Sequence, residues 1–196
     1  MKKINNKNID KSFIEEYLNE SIAVARSQLN YSDQIINITK EIINNLNNSS
    51  TIFICGNGGS ASDSQHFAAE LVGRFEKNRQ PFPAIALTTD TSVLTSIAND
   101  FGYEYIFSKQ LEAMAKKNDI LIAITTSGES ENVLYALDIA KHLGMLTICF
   151  TGNNIEKIKE NSDYIISISS NRTGVIQQSH ITILQIIAGL IENCSE

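Results

Sequence analysis

The chain has 196 residues, 42% of them hydrophobic and 19% charged, which suits one globular domain with a single core. Its formal net charge of −6 and pI near 5.1 argue against a general nucleic-acid binder, although a few local donors can still hold a small anion. The opening "MKKINNKNIDKSF" lacks the apolar stretch of a secretory signal, and no apolar run reads as long enough to span a bilayer. A cytoplasmic protein is therefore expected. Cys55, Cys149 and Cys194 stand far apart and form no CxxC pair, which fits a reducing compartment.

In chain order, the first fifty residues read as helix, with Ile35, Ile38, Ile42 and Leu46 recurring at helical spacing. Residues 1–48 are expected to form a helical segment that packs in an oligomer, and residues 49–196 the main domain. A turn-rich stretch from Asn44 to Ser50 separates the two. "TIFIC" is then a β-branched apolar run typical of a buried parallel strand. The pattern predicts a helix over 60–75, a strand over 84–87, helices over 92–98 and 103–115, and a strand in "DILIAITT". "SENVLYALDIAKHLG" follows as an amphipathic helix with a Gly144 cap, "MLTICF" and "YIISIS" as strands, and a helix over 174–192 closes the chain. Five strands alternating with helices predict an α/β fold: a doubly wound, five-stranded parallel sheet flanked by helices, a flavodoxin-like sandwich. An extra N-terminal helix and a C-terminal bundle helix complete it.

Two strand ends carry chemistry, which is where open α/β sheets bind ligands. In "CGNGGS", Gly56, Gly58 and Gly59 let backbone N–H groups approach a ligand, and Ser60 is placed to cap a helix whose start favours an anion. The dinucleotide fingerprint fails because its third glycine falls at Ala61, and no Lys follows to make a P-loop. A purely structural turn has the same composition. In "TTSGES", Thr125, Thr126, Ser127 and Ser130 gather four hydroxyls around Gly128 at a second strand-to-helix junction. Hydroxyls and helix-start N–H groups surround a phosphate without any Arg or Lys, though Ser130 alone would equally serve as a helix cap. Two such loops on neighbouring strands favour a phosphorylated small molecule.

The stretches "CGNGGSASDSQHFAAELVGRF", "PAIALTTDTS", "ANDFGYEYIFSKQ" and "ITTSGESENVLYAL" resemble the phosphoheptose isomerase branch of the SIS (sugar isomerase) domain family, over most of the chain from about Ser49 onward. The resemblance implies a homotetrameric enzyme converting sedoheptulose 7-phosphate to D-glycero-D-manno-heptose 7-phosphate through an enediol, for lipopolysaccharide heptose synthesis. It places substrate contacts on Asn57, Gly58, Gly59, Ser60, Asn99, Asp100, Thr125, Thr126, Ser127, Ser130 and Gln177. It places a zinc ligand on His66, and on Glu70 a residue that is both ligand and catalytic base; Arg74, one turn on, also matches. His66 and Glu70, at i and i+4, share one helix face, as a two-ligand site needs and as an ordinary solvated pair also does.

The closing helix departs from the family. Its members carry Gln and, eight residues later, a His that is zinc ligand and acid; here Gln177 keeps the first position and Gln185 takes the second. Gln is a weak zinc ligand and no general acid near neutral pH, so the expected metal set is His66, Glu70, Gln177 and Gln185, with His180 or a water as the replacement acid. Around the helix, Gln185 lies roughly 80° from Gln177 and His180 roughly 60° the other way. Gly174-Val175 replace the pair ending in Arg that usually precedes the Gln. The missing His leaves two further readings: a non-catalytic SIS protein that binds the replication initiator DnaA, and a sugar-phosphate sensor. Neither direct nucleic-acid contact nor a membrane is expected.

Overall fold

A computed structural model describes residues 9–195, so the part of the N-terminal reading that falls on residues 1–8 lies outside the described residues. Three strands, β1 (Ile52–Gly56), β3 (Ile120–Thr125) and β4 (Leu146–Thr151), are buried along almost their whole length, because helices cover both faces of the sheet. β2 (Ala84–Ala86) and β5 (Tyr164–Ser167) form the edges and are less buried. All five pair in parallel in the order β2-β1-β3-β4-β5, with β1 registered on β3 from Ile52↔Ile120 to Gly56↔Ile124.

Alternate side chains of each strand point to opposite faces. Ile54, Ile122, Ile148 and Phe150 meet α1 (Lys11–Ser27), α2 (Ser32–Asn47), α3 (Gly59–Val72) and α7 (Thr173–Asn193). Phe53, Cys55, Leu121 and Cys149 face α5 (Ser108–Met114) and α6 (Glu131–His142) on the other side. The predicted sandwich is the observed one, and α4 (Thr91–Asp100), which has no fully buried residue, packs Leu94, Ile97 and Ala98 against this second face.

Several boundaries differ from the sequence reading, each for a local reason. The N-terminal segment is two helices rather than one, broken by a 3-10 turn at Gln28–Tyr31. There the Tyr31 hydroxyl donates to the Ser167 carbonyl and Gln34 Nε2 to the Ile165 carbonyl at 2.8 Å, which fastens the start of α2 to the β5 edge. The helix predicted over 103–115 is a short 3-10 turn, Tyr103–Tyr105, followed by α5. α3 stops at Val72 instead of reaching Phe75. The Glu192 carboxylate at the end of α7 accepts the backbone N–H groups of Phe75, Glu76 and Lys77 at 2.7–3.1 Å and pulls them out of the helix. Arg79, buried against Glu192, donates to the carbonyls of Glu70 and Leu71 at 2.6 and 2.7 Å and closes the last turn of α3. α7 itself is long and apolar enough to cross a bilayer by length and composition, which corrects the sequence expectation. Half of that stretch is buried against the sheet, α2 and α3, as in the core helix of a bundle.

Burial alone would push Glu192 up, but the three N–H donors and Arg79 outweigh it and hold the carboxyl below its usual range. A depressed folded pKa stabilises the protein above the unfolded value of about 4.3 and ceases to do so as pH falls through the folded value. Glu192→Gln should therefore lower the urea midpoint at pH 7, and the gap to the parent protein should shrink on titration to pH 3.

Candidate active site

The strand order reverses between β1 and β3, and the chains leaving these two strands open a crevice at the carboxyl edge of the sheet. Both loaded loops are found there. After β1, Gly58 is the N-cap residue and α3 begins at Gly59. Ser60 therefore lies inside the first turn, buried, rather than at the cap the sequence suggested. The amide of Gln177, from the first turns of α7, packs directly on Gly59, where even a Cβ would collide with it.

After β3, the hydroxyls form a connected set. Thr125 Oγ1 lies 3.1 Å from Ser130 Oγ and 3.4 Å from Ser127 Oγ, and Gly128 N–H donates to Thr125 Oγ1 at 3.2 Å. Gly128 takes φ +69°, and a Cβ there would run into the Asn154 carbonyl, so this turn requires glycine. Ser130 is the N-cap residue of α6, yet its side chain makes no capping bond, which leaves the first N–H groups of α6 free of a side-chain acceptor. Thr126 is half-buried and Ser127 exposed at the mouth. This is a neutral, donor-rich cradle of the kind that holds a phosphate.

The second cluster lies where α3 meets α7. His66 Nε2 is 3.1 Å from Glu70 Oε1, and Gln185 Nε2 donates to the same oxygen at 3.2 Å. Glu70 is buried, and its Oε2 has no hydrogen-bond partner among the described residues. Asp63, one turn before His66, is pushed up to about 6 by burial, against the opposing pull of His66. Gln185, at the position where the resemblance leads one to expect His, is thus the α7 residue placed at Glu70.

Two ligand atoms on a tetrahedral zinc with bonds of about 2.0 Å stand about 3.3 Å apart. The separations at Glu70 Oε1 are close to that, and the orphaned Oε2 is a further free acceptor. An imidazole, a carboxylate and the amide of Gln185, turned to present its oxygen, fit a divalent cation, with the amide as the weak member. Among the described residues no three His, Cys, Asp or Glu side chains gather in this way. Gln177, expected in the metal set, is placed on the glycine turn.

His180 is corrected. It has no exposed surface, its ring packs edge-on to Phe150, and Nε2 lies 3.1 Å from the Thr151 carbonyl at the end of β4. Burial lowers its pKa to about 4, the bond to Thr151 opposing, so it is neutral at physiological pH. It is not brought to Glu70 and is not placed to act as the acid. Asn99 and Asp100 end α4, exposed and bonded to each other at 2.8 Å. Arg74 is exposed and donates to Asn78 at 3.1 Å.

Two residues that sequence reasoning passed over join the crevice. Asn132, buried in the first turn of α6, exchanges two hydrogen bonds of 2.8 Å with Asn57, and the exposed Tyr103 donates to Asn57 Oδ1 at 3.0 Å. The signal for Asn132 was present in the sequence, because it shares the helix face of Val133, Ala136 and Ala140, where an amide must find a partner. Tyr103 carried none.

The SIS domain model matches residues 16–152. Phosphoheptose isomerase from Aquifex aeolicus is 48% identical over 83% of this chain and 85% of its own, and that from Helicobacter pylori strain P12 is 45% identical over 94% and 96%. The solved phosphoheptose isomerase GmhA from Neisseria gonorrhoeae superposes with a TM-score of 0.87 at 35% identity, covering 93% of this chain and 98% of its own. With sequence and fold in agreement, the chain belongs to the phosphoheptose isomerase branch of the SIS domain family.

Proposed function

We propose that the protein isomerises sedoheptulose 7-phosphate to D-glycero-D-manno-heptose 7-phosphate. The observation that carries this reading is the buried Glu70 carboxylate, held by His66 and Gln185 beside a crevice built to take a phosphate. The relatives' names support the isomerase over the expected alternatives of a DnaA-binding protein or a sensor.

An aldose–ketose isomerase moves one proton between neighbouring carbons. Glu70 takes a proton from C1 of the ketose; the C1–H electrons form the C1=C2 bond, and the carbonyl electrons pass to the C2 oxygen, which is protonated. The enediol then loses its O1 proton and regains a proton at C2, giving the aldose. His66 and Gln185 hold one carboxylate oxygen and so orient the group that carries the proton. The hydroxyl loop and the starts of α3 and α6 bind the phosphate with donors alone, and Gln177 is placed at the glycine turn to meet the sugar's hydroxyls. Zinc held by His66, Glu70 and Gln185 would supply Lewis acidity at the substrate oxygens.

The same reading carries a homotetramer in the cytoplasm, supplying heptose for lipopolysaccharide. The tetramer is supported by apolar residues standing exposed on α1 and α7, among them Phe13, Ile14, Leu18, Ile22 and Ile186. Shallow grooves run on between α1, α2 and α7, sharing Ala25, Gln28 and Thr182.

Turnover of sedoheptulose 7-phosphate, assayed with and without added zinc, tests the activity, and absence of turnover under both conditions would refute it. Glu70→Gln should lower kcat by about 10²–10⁴-fold, as for the loss of a general base. Gln185→His should raise zinc affinity by tenfold or more, since imidazole is the better zinc ligand, and calorimetry or metal analysis after dialysis would show it. Gly59→Ala should displace the Gln177 amide and cut kcat/KM by about tenfold, roughly the weight of one hydrogen-bonding group in a site. Its thermal midpoint should stay near that of the parent, because the clash falls on the end of a flexible side chain.

A further inference from the structure

The Asn57 amide is expected from the family resemblance to touch the substrate, but most of its hydrogen-bonding capacity is already in use. Oδ1 accepts from Asn132 Nδ2 at 2.8 Å and from Tyr103 OH at 3.0 Å, which fills both lone pairs. Nδ2 donates to Asn132 Oδ1 at 2.8 Å, leaving one proton. The amide pair is reciprocal, each side chain donating to the other, and Asn132 is only 2% exposed, so it is fixed by its surroundings.

These three residues come from three different segments. Asn57 is the first residue beyond β1 and begins the glycine turn. Asn132 is the second residue of α6, two positions after Ser130 and directly beyond the hydroxyl loop. Tyr103 follows α4 by three residues and so belongs to the segment that carries Asn99 and Asp100. Beyond the strand ladder, the two Asn57–Asn132 bonds are the hydrogen bonds that join the glycine turn to the hydroxyl loop and the start of α6 among the described residues.

A phosphorylated sugar that bridges the two loops needs their donors at a fixed separation. The β1–β3 ladder sets that separation only as far as Gly56 and Ile124, and beyond it no ladder bond ties one loop to the other. We infer that Asn132 and Tyr103 are positioning residues of the sugar-phosphate site, using Asn57 as a strut that holds the glycine turn, the hydroxyl loop and the α4 segment in register. This inference rests on the isomerase reading above.

The clasp makes no bond to Glu70, His66 or Gln185, which are held across α3 and α7. Loosening it weakens binding of substrate and transition state alike, an effect that raises KM and leaves kcat nearly unchanged. A merely structural role would lower the amount of folded enzyme without moving KM.

The test is steady-state kinetics of Tyr103→Phe, Asn132→Asp and the double variant with sedoheptulose 7-phosphate, alongside inhibition by inorganic phosphate. Tyr103→Phe should raise KM about threefold and Asn132→Asp about tenfold, as for one neutral hydrogen bond and for a bond replaced by oxygen–oxygen repulsion, with kcat within threefold of the parent. The phosphate inhibition constant should rise by the same factors, since phosphate touches no part of the sugar. Both donors converge on Asn57 Oδ1, so the double variant should fall short of the product of the single effects. KM within twofold of the parent in both variants, or a fall in kcat at unchanged KM, would overturn the inference. Should Asn132→Asp fail to fold, Tyr103→Phe decides, because it removes only a hydroxyl from a residue that is 60% exposed. Should the parent protein prove inactive, the isomerase reading fails by itself. Calorimetric dissociation constants for sedoheptulose 7-phosphate and phosphate then replace KM and judge the clasp by the same factors.

Discussion

Because β1 and β3 pair in parallel from Ile52↔Ile120 to Gly56↔Ile124, the two chains leave the sheet at the same edge within a residue of each other. Parallel strands must then be joined by long crossovers, and the strand order places those crossovers on opposite faces at this point. α3 departs to one side and α6 to the other, each starting with its positive end at the crevice. Two helix starts converging on one crevice let an acidic protein hold a phosphate without a lysine or arginine at the cradle. The net charge of −6 and the phosphate site are compatible because the attraction is local and dipolar.

Glu70, the proposed base, has the opposite environment. It is kept from bulk water where α3 packs on α7 rather than at the open loops. Eleven residues, roughly 16 Å of helix, separate it from Gly59. Arg79 and Glu192 finish the arrangement from outside the site. By taking the carbonyls of Glu70 and Leu71 and the N–H groups of Phe75 to Lys77, they fix where α3 ends and so which turn Glu70 occupies.

Much of this was legible from composition and spacing alone. The strands announced themselves because a sheet covered on both faces is apolar at every position, and "TIFIC" and "DILIAITT" have no other use. The two loops were legible because their glycines and hydroxyls follow such strands directly. Helix ends were less so: α3 was read three residues too long because a carboxylate more than a hundred positions away takes its would-be last N–H groups. His180 and Gln185 could not be ranked from the helix alone, since both lie within a quarter turn of Gln177 and only the neighbours differ. One side of α7 meets the end of β4 and the other meets α3, so the imidazole went to a carbonyl and the amide to a carboxylate. The Asn57 clasp lay further out of reach, because a reciprocal amide pair depends on two turns being in register, which spacing along the chain does not reveal.

α7 shows how a nearly all-apolar helix can still specify a site. It runs alongside α3 in the same direction: Gln177 lies at Gly59, Gln185 at Glu70, and Glu192 at the loop that follows α3. A one-residue slip of α7 would turn each of these side chains by about 100° and shift it by about 1.5 Å, taking Gln185 from Glu70 and the buried Glu192 carboxylate from its donors. The three polar contacts are thus mutually dependent, and the apolar surface between them supplies adhesion but little register. Gln185 follows this logic, because its amide offers Glu70 a donor at that height on the helix. An amide is a good donor and a weak metal ligand, so under the proposed function the orientation of Glu70 and any affinity for zinc are separable properties of this one position.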